Sequence, residues 1–201
     1  MTSTTKEKIL TTALQLFAKD GYEAVSVSMI AGALGMTKGA LYKHYANKRD
    51  IFDQIVARME ERDAQRAAEY ELPEGTLAEM TEKYRSTSVN QLIQYSKAQF
   101  LYWTQDEFSA DFRKMLTLEQ YRSEEMNALY QQYLASGPLG YVTDLFASLE
   151  ISDPQREAVA FYAPMFLLYS VYDASKDKAA VIAQMEEHLK VAGQHLTGGK
   201  G

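Results

Sequence analysis

The chain has 201 residues, 46% of them apolar and 24% charged, which excludes intrinsic disorder. Its 11 glycines and 4 prolines are too few for a strand-and-turn architecture of this length, and the lack of cysteine removes disulfides, thiolate metal sites and cysteine nucleophiles. The formal charge of −6 is unevenly placed: residues 1–49 hold seven Lys/Arg against three acids, so a basic head of +4 precedes an acidic body of −10.

In chain order, residues 5–18 place Leu10, Ala13, Leu14 and Phe17 at i, i+3, i+4 and i+7, a helix with one buried stripe, stopped by Gly21. Val27, Ile30, Ala31 and Leu34 repeat that spacing over a much shorter helix, which Gly35 is placed to end in a left-handed conformation. Thr37 is the expected N-cap of a third helix, Lys38 to about His44. Asn47 can cap a fourth, with Phe52, Ile55, Val56 and Met59 as its apolar face, running to about Tyr70.

Pro73 and Gly75 then break the chain, and one long helix is expected from Thr76 to about Trp103, on Leu77, Met80, Tyr84, Gln91, Tyr95, Ala98 and Tyr102. Residues 106–136 are helical by pattern, with a break near Arg122. Gly137-Pro138 marks a turn or kink before a helix to about Leu149. Asp153-Pro154 is an N-cap followed by proline at the first helical position, opening a helix to about Asp173. Ile182, Met185, Leu189 and Ala192 define the last helix, and the closing GGKG is expected to be disordered. The chain reads as all-α.

The longest uncharged run, Ala158 to Tyr172, is too short and too rich in tyrosine for a membrane span, and MTSTTKEKIL lacks the apolar stretch of a signal peptide. A cytoplasmic location without membrane partners is expected.

Function is concentrated in SVSMIAGALGMTKGALYKHYANKRDIF, residues 26–52. Two short helices joined by a tight Gly35-Met36-Thr37 turn form a helix-turn-helix, whose second helix can enter the DNA major groove. Gly39 costs about 1 kcal/mol against alanine inside a helix, a poor choice unless something must approach the backbone. Tyr42, Lys43 and His44 supply donors nearby. Lys48 and Arg49 open the fourth helix, where the macrodipole disfavours cations, and a phosphate meeting the same helix end would account for them.

These residues resemble the DNA-binding domain of the tetracycline-repressor (TetR) family of bacterial transcriptional regulators. The likeness runs through LFAKDGYEAVS and IAGALGMTKGALYKHYANKRDIF, with Leu41-Tyr42, Tyr45, Lys48, Gly35 and Gly39 at the family's most recognisable positions. Tyr45 stands where phenylalanine is common, and Gly32 where a helix former is usual. The resemblance implies an all-α chain with a three-helix head at residues 1–50, followed by a ligand-binding and dimerisation bundle at 51–201. It further implies a homodimer that binds a palindromic operator in double-stranded DNA and is released by a small molecule, with no cofactor.

Carried over position by position, the implied DNA contacts are Ser26, Ser28, Thr37, Lys38, Gly39, Tyr42, Lys43, His44 and Lys48. The serines, Tyr42 and Lys48 would hold phosphates, while Lys38 and His44 are candidates for reading base edges. Ile30, Leu34 and Leu41 are expected to be core of the head, and Tyr45 fits either role.

The body is rich in aromatic residues, a composition that keeps hydroxyls available inside an apolar interior and suits a small-molecule cavity. Candidate lining residues are Tyr84, Tyr95, Phe100, Trp103, Phe112, Tyr121, Tyr130, Tyr162 and Phe166, with Met115 and Met165 as adaptable partners. Aromatic faces and acids such as Glu119 would suit a flat or cationic effector. Val159 to Tyr172 is apolar on nearly every face, so the last two helices are the expected dimer contact. His188 and His195, seven apart on one face, read as interface or surface residues rather than a metal pair.

Two rival functions compete. The chain has no paired Glu-x-x-His, Gly-x-Ser-x-Gly elbow, phosphate loop or dinucleotide fingerprint, so an enzyme is not expected. The other rival is a helical small-molecule-binding protein whose DNA head has lost function.

Overall fold

The protein is described by a computed structural model covering residues 4–70 and 81–198. Among the described residues there are helices and no strands: α1 (Thr5–Asp20), α2 (Val27–Ala33), α3 (Lys38–Leu41), α4 (Lys48–Glu69), α5 (Thr81–Ser86), α6 (Val89–Gln105), α7 (Glu107–Glu119), α8 (Glu124–Leu134), α9 (Ser136–Ser148), α10 (Pro154–Ala174) and α11 (Lys178–Gly198). The expectations on Pro73, Gly75, Thr76, Leu77 and Met80, and on residues 199–201, fall outside the described residues.

Local chemistry sets most boundaries. The side chains of Thr4, Ser26 and Thr37 accept from the backbone N–H three residues on, starting α1, α2 and α3. Asn47 Oδ1 accepts from Asp50 N at 2.9 Å, and the Asp50 carboxylate accepts in return from Ala46 N at 2.8 Å, so α4 begins where Asn47 predicts. Gly35 takes φ +65 in the turn, the left-handed geometry expected of it.

Two boundaries differ from the sequence reading. The third helix is α-helical only through Leu41, after which Lys43 N and His44 N donate to carbonyls three residues back and the coil tightens into turns. The long helix expected to reach Trp103 is interrupted at Thr87-Ser88. There Ser88 Oγ accepts from Gln91 N at 3.2 Å while Gln91 Oε1 accepts from Ser88 N at 2.8 Å, a reciprocal capping box that starts a new helix.

The chain forms two compact units. The first comprises residues 1–63 and 107–130. In it α1 packs along α7 and on α2, and α2 on α3. Its core takes Ile9, Leu14 and Phe17 from α1, Ile30 from α2, Leu41 from α3, Ile51, Phe52, Ile55 and Met59 from α4, and Phe112, Met115 and Leu116 from α7. Each such side chain contributes about 1.5–3 kcal/mol by leaving water. Leu34, expected in this core, is only half-buried, because the turn at Gly35 follows it directly.

The second unit comprises residues 64–106 and 131–201. Here α10 packs against α6, α9 and α11, with α11 also on α6 and α5 on α9. Phe100 stacks on Tyr169 at 5.3 Å and meets Tyr172 edge-on at 6.2 Å, and Phe146 meets Phe161 at 5.8 Å. Among the described residues, no helix is long and apolar enough to cross a membrane.

Candidate DNA-binding face

The head is built around Ile30, Leu41 and Tyr45, which are 0%, 0% and 2% exposed. Tyr45, which the sequence left between core and contact, is core: its hydroxyl donates to the Lys6 carbonyl at 3.1 Å. Burial, followed by the charges of Glu7 and Asp50, pushes its phenol up to about 12.

Around that core the predicted contact residues fall on the outside. Ser26, Ser28, Thr37, Lys38, Gly39, Tyr42, Lys43 and His44 are all exposed. Tyr42, a large aromatic, leaves 43% of its surface in water, and Lys38 Nζ lies 5.7 Å from its ring. A Cβ placed on Gly39 would meet nothing within 4 Å, so the protein itself does not require glycine there. The residue is bare on the outer side of a helix start, where a DNA backbone could approach closely. The hydroxyls of Ser26 and Thr37 already cap their helices.

Lys48 and Arg49 behave differently. Lys48 is half-buried; its ammonium donates to the Tyr22 carbonyl at 2.8 Å and to the Glu23 carbonyl at 3.4 Å, and lies 4.2 Å from the Tyr22 ring centre. Arg49 forms a two-pronged pair with Glu125, at 2.8 and 2.5 Å, and bonds Asp53 at 2.6 Å. These carboxylates hold the guanidinium firmly in its charged form. Two cations at a helix start thus have protein partners, and their presence does not by itself require a phosphate.

Behind them lies a contact set the sequence reading missed. Glu119, at 1% exposure, accepts the Tyr22 N–H at 3.0 Å, and Arg122 sits 3.7 Å away. Gly21 holds φ +85, a conformation that favours glycine, and a Cβ there would lie 2.6 Å from Glu119 Oε1. The Tyr22 ring packs at 5.1 Å on both Phe17 and Phe52. Tyr22, Glu23, Arg49, Glu119, Tyr121 and Glu125 line an open cleft of about 820 Å³. Glu119 is therefore engaged on the Tyr22 backbone N–H through Oε1 while it lines the cleft. A carboxylate on the last residue of a helix opposes the macrodipole, as Lys48 does at the other pole; that signal was present in the sequence.

The predicted ligand-lining residues divide between the two units. Phe112, Met115 and Tyr130 are buried in the first, and Tyr121 in the same unit is 91% exposed on the turn after α7. Tyr84, Phe100, Trp103 and Met165 are buried in the second, where Tyr95 and Tyr162 are half-buried and Phe166 is 38% exposed. Tyr162 donates its hydroxyl to the Leu134 carbonyl at 2.8 Å. The two histidines of α11 both turn to α10: His188 Nε2 is 2.7 Å from the Phe161 carbonyl and His195 Nε2 is 3.2 Å from Glu157.

Residues 9–55 match the family model described as bacterial regulatory proteins, tetR family. The transcriptional regulator AcrR of Shigella flexneri is 37% identical over 82 residues, 41% of this chain and 32% of that protein. The repressor BepR of Brucella suis biovar 1 is 41% identical over 54 residues, 27% of this chain and 26% of that protein. The chain thus spans about a third or less of the length of these curated relatives. In three dimensions, the triclosan complex of SmeT, a repressor from Stenotrophomonas maltophilia, has a TM-score of 0.63 at 17% identity, over 93% of this chain and 88% of that one. That likeness shows the fold alone, and it extends beyond the segment that sequence matches. The helix-turn-helix motif on residues 26–52 thus lies within a segment, residues 9–55, that is similar to the tetR family of bacterial regulatory proteins.

Proposed function

We propose that the protein is a repressor of transcription that binds a palindromic operator as a homodimer and is released by a small molecule, acting in the cytoplasm. The carrying observation is the head itself. Eight polar or glycine positions expected to meet DNA are exposed around a buried core of Ile30, Leu41 and Tyr45. In this reading residues 1–50 form the DNA-reading head and 51–201 the sensor and dimerisation body. Lys38 and His44 read base edges; Ser26, Ser28, Thr37, Gly39, Tyr42, Lys43 and Lys48 meet the backbone.

Lys48 joins those contacts by exchanging the Tyr22 and Glu23 carbonyls for a phosphate, a charged acceptor that competes well with neutral ones. The dimer forms through α10 and α11. This is supported by a stripe of exposed apolar side chains on α10, Val159, Phe166, Leu167 and Val171, with Val191 on α11. The other face of α10, Ala158, Phe161, Met165, Tyr169 and Tyr172, is buried within the second unit.

The alternative, a helical binding protein with an inactive head, is separated by one titration. Binding to a labelled duplex of random sequence is followed by anisotropy at increasing salt. The repressor reading expects affinity that falls steeply with salt, and Lys43→Ala is expected to reduce the slope of log K against log salt by about 1. A folded protein that binds no duplex at low salt contradicts it and leaves the alternative.

A further inference from the structure

Arg66, on α4 within the second unit, has no carboxylate within ion-pair distance among the described residues. Its Nε and one terminal nitrogen both donate to Gln99 Oε1, at 3.2 and 2.9 Å, and its guanidinium lies 3.9 Å from the centre of the Tyr102 ring. Among the described residues no carboxylate reaches it, whereas Arg49, Arg58, Arg122 and Arg156 each pair with one. A neutral amide orients the guanidinium without supplying a counter-charge, and a guanidinium has further N–H groups to offer an acceptor.

The surroundings are phenolic. Gln99 Nε2 donates to the Tyr95 hydroxyl at 2.7 Å, so turning the amide over would break its bonds on both sides. Tyr70 packs edge-on against the Tyr95 ring at 5.5 Å. Tyr141, on α9, has a hydroxyl sealed from water without a hydrogen-bond partner, and its ring lies 5.7 Å from Tyr84. Its phenol is raised above the usual range, by burial first and then by Tyr84 and Tyr95. A buried hydroxyl without a partner is unfavourable and is rare in folded proteins.

Resting on the reading of residues 51–201 as the sensor, we propose that the effector is an organic anion, a carboxylate on an apolar body. The carboxylate pairs with Arg66, and the apolar body lies along Tyr70 and Tyr95. A carboxylate supplies two parallel acceptors for a guanidinium held in one plane, and the aromatic surroundings favour an apolar remainder. A cationic effector would instead meet a positive charge that the Gln99 amide does not neutralise.

The chain's single tryptophan, Trp103, lies 5.8 Å from the Tyr102 ring on which Arg66 rests, so its fluorescence reports on the site. The full-length protein is titrated with decanoate, salicylate and indole-3-acetate, and with the neutral amide of each. The expected result is saturable binding of at least one acid, with its amide roughly 10- to 100-fold weaker. Arg66→Gln should abolish that preference and Arg66→Lys retain part of it, both with unchanged circular dichroism.

Amides that bind as tightly as the acids overturn the proposal. So does Arg66→Gln with wild-type affinity for the acids, or the lack of any Arg66-dependent change with all three. Duplex binding measured in the same samples separates the two levels of the claim. Amides that bind and weaken duplex binding, while acids do neither, leave the sensor and overturn the anion. Acids that bind through Arg66 without altering duplex binding support the site and contradict the sensor.

Discussion

Glu119 shows how one side chain can fix the geometry of a surface it does not reach. Its buried carboxylate accepts the Tyr22 N–H, and the Tyr22 carbonyl in turn accepts from Lys48. Removing that acceptor strands a backbone N–H. Glu119→Ala is therefore expected to lower stability by about 1–3 kcal/mol, whereas Glu119→Gln, which keeps an oxygen in place, should cost clearly less. Urea denaturation of the two variants measures the difference; equal losses would mean that charge, not acceptance, holds Tyr22. The sequence reading named this residue but not its partner, which lies 97 positions away, because spacing patterns register only neighbours along one helix. Lys48 and Arg49 were legible as anomalies, yet the sequence could not distinguish a phosphate from the Tyr22 carbonyl and Glu125 that engage them here.

At the scale of elements, boundaries written in local chemistry were legible and those requiring a choice between two local signals were not. Thr37, Asn47 and Asp153 each mark the helix start they predict, because a capping side chain acts on a backbone three residues away. The break before α6 was equally present, as Ser88-Val89-Asn90-Gln91. It was overridden by an apolar spacing that continues across it through Tyr84, Gln91 and Tyr95. Ser88→Ala is expected to cost about 0.5–2 kcal/mol and leave the fold intact, as measured by thermal unfolding followed by circular dichroism. A neutral effect would mean that packing alone separates α5 from α6. The proposed effector site was the least legible feature. Aromatic content pointed to the body at residues 51–201, but the candidates divided between units, and neither Arg66 nor Gln99 drew notice, since a polar pair becomes informative only when its partners are known.

For the whole molecule, the proposed dimer is tested at the outward stripe of α10. Leu167 is 62% exposed, and Val159, Phe166 and Val171 extend the same apolar surface. Leu167→Glu places a charge where a partner copy would bury it, at a cost comparable to leaving an unpaired charge inside an interface. The variant is expected to sediment as a monomer with unchanged helicity and to lose most of its affinity for a two-half-site duplex, because each monomer then holds only one half-site. A dimer that survives this change would place the contact elsewhere.

The central claim is that the head reads sequence. Selection from a randomised duplex library over several rounds at moderate salt, followed by sequencing, tests it most directly. The predicted result is enrichment of one palindrome with half-sites about one helical turn, or roughly 34 Å, apart, and its loss when Lys38→Ala or His44→Ala is carried through the same selection. No enrichment at any salt, from a protein shown to be folded and dimeric, would contradict it.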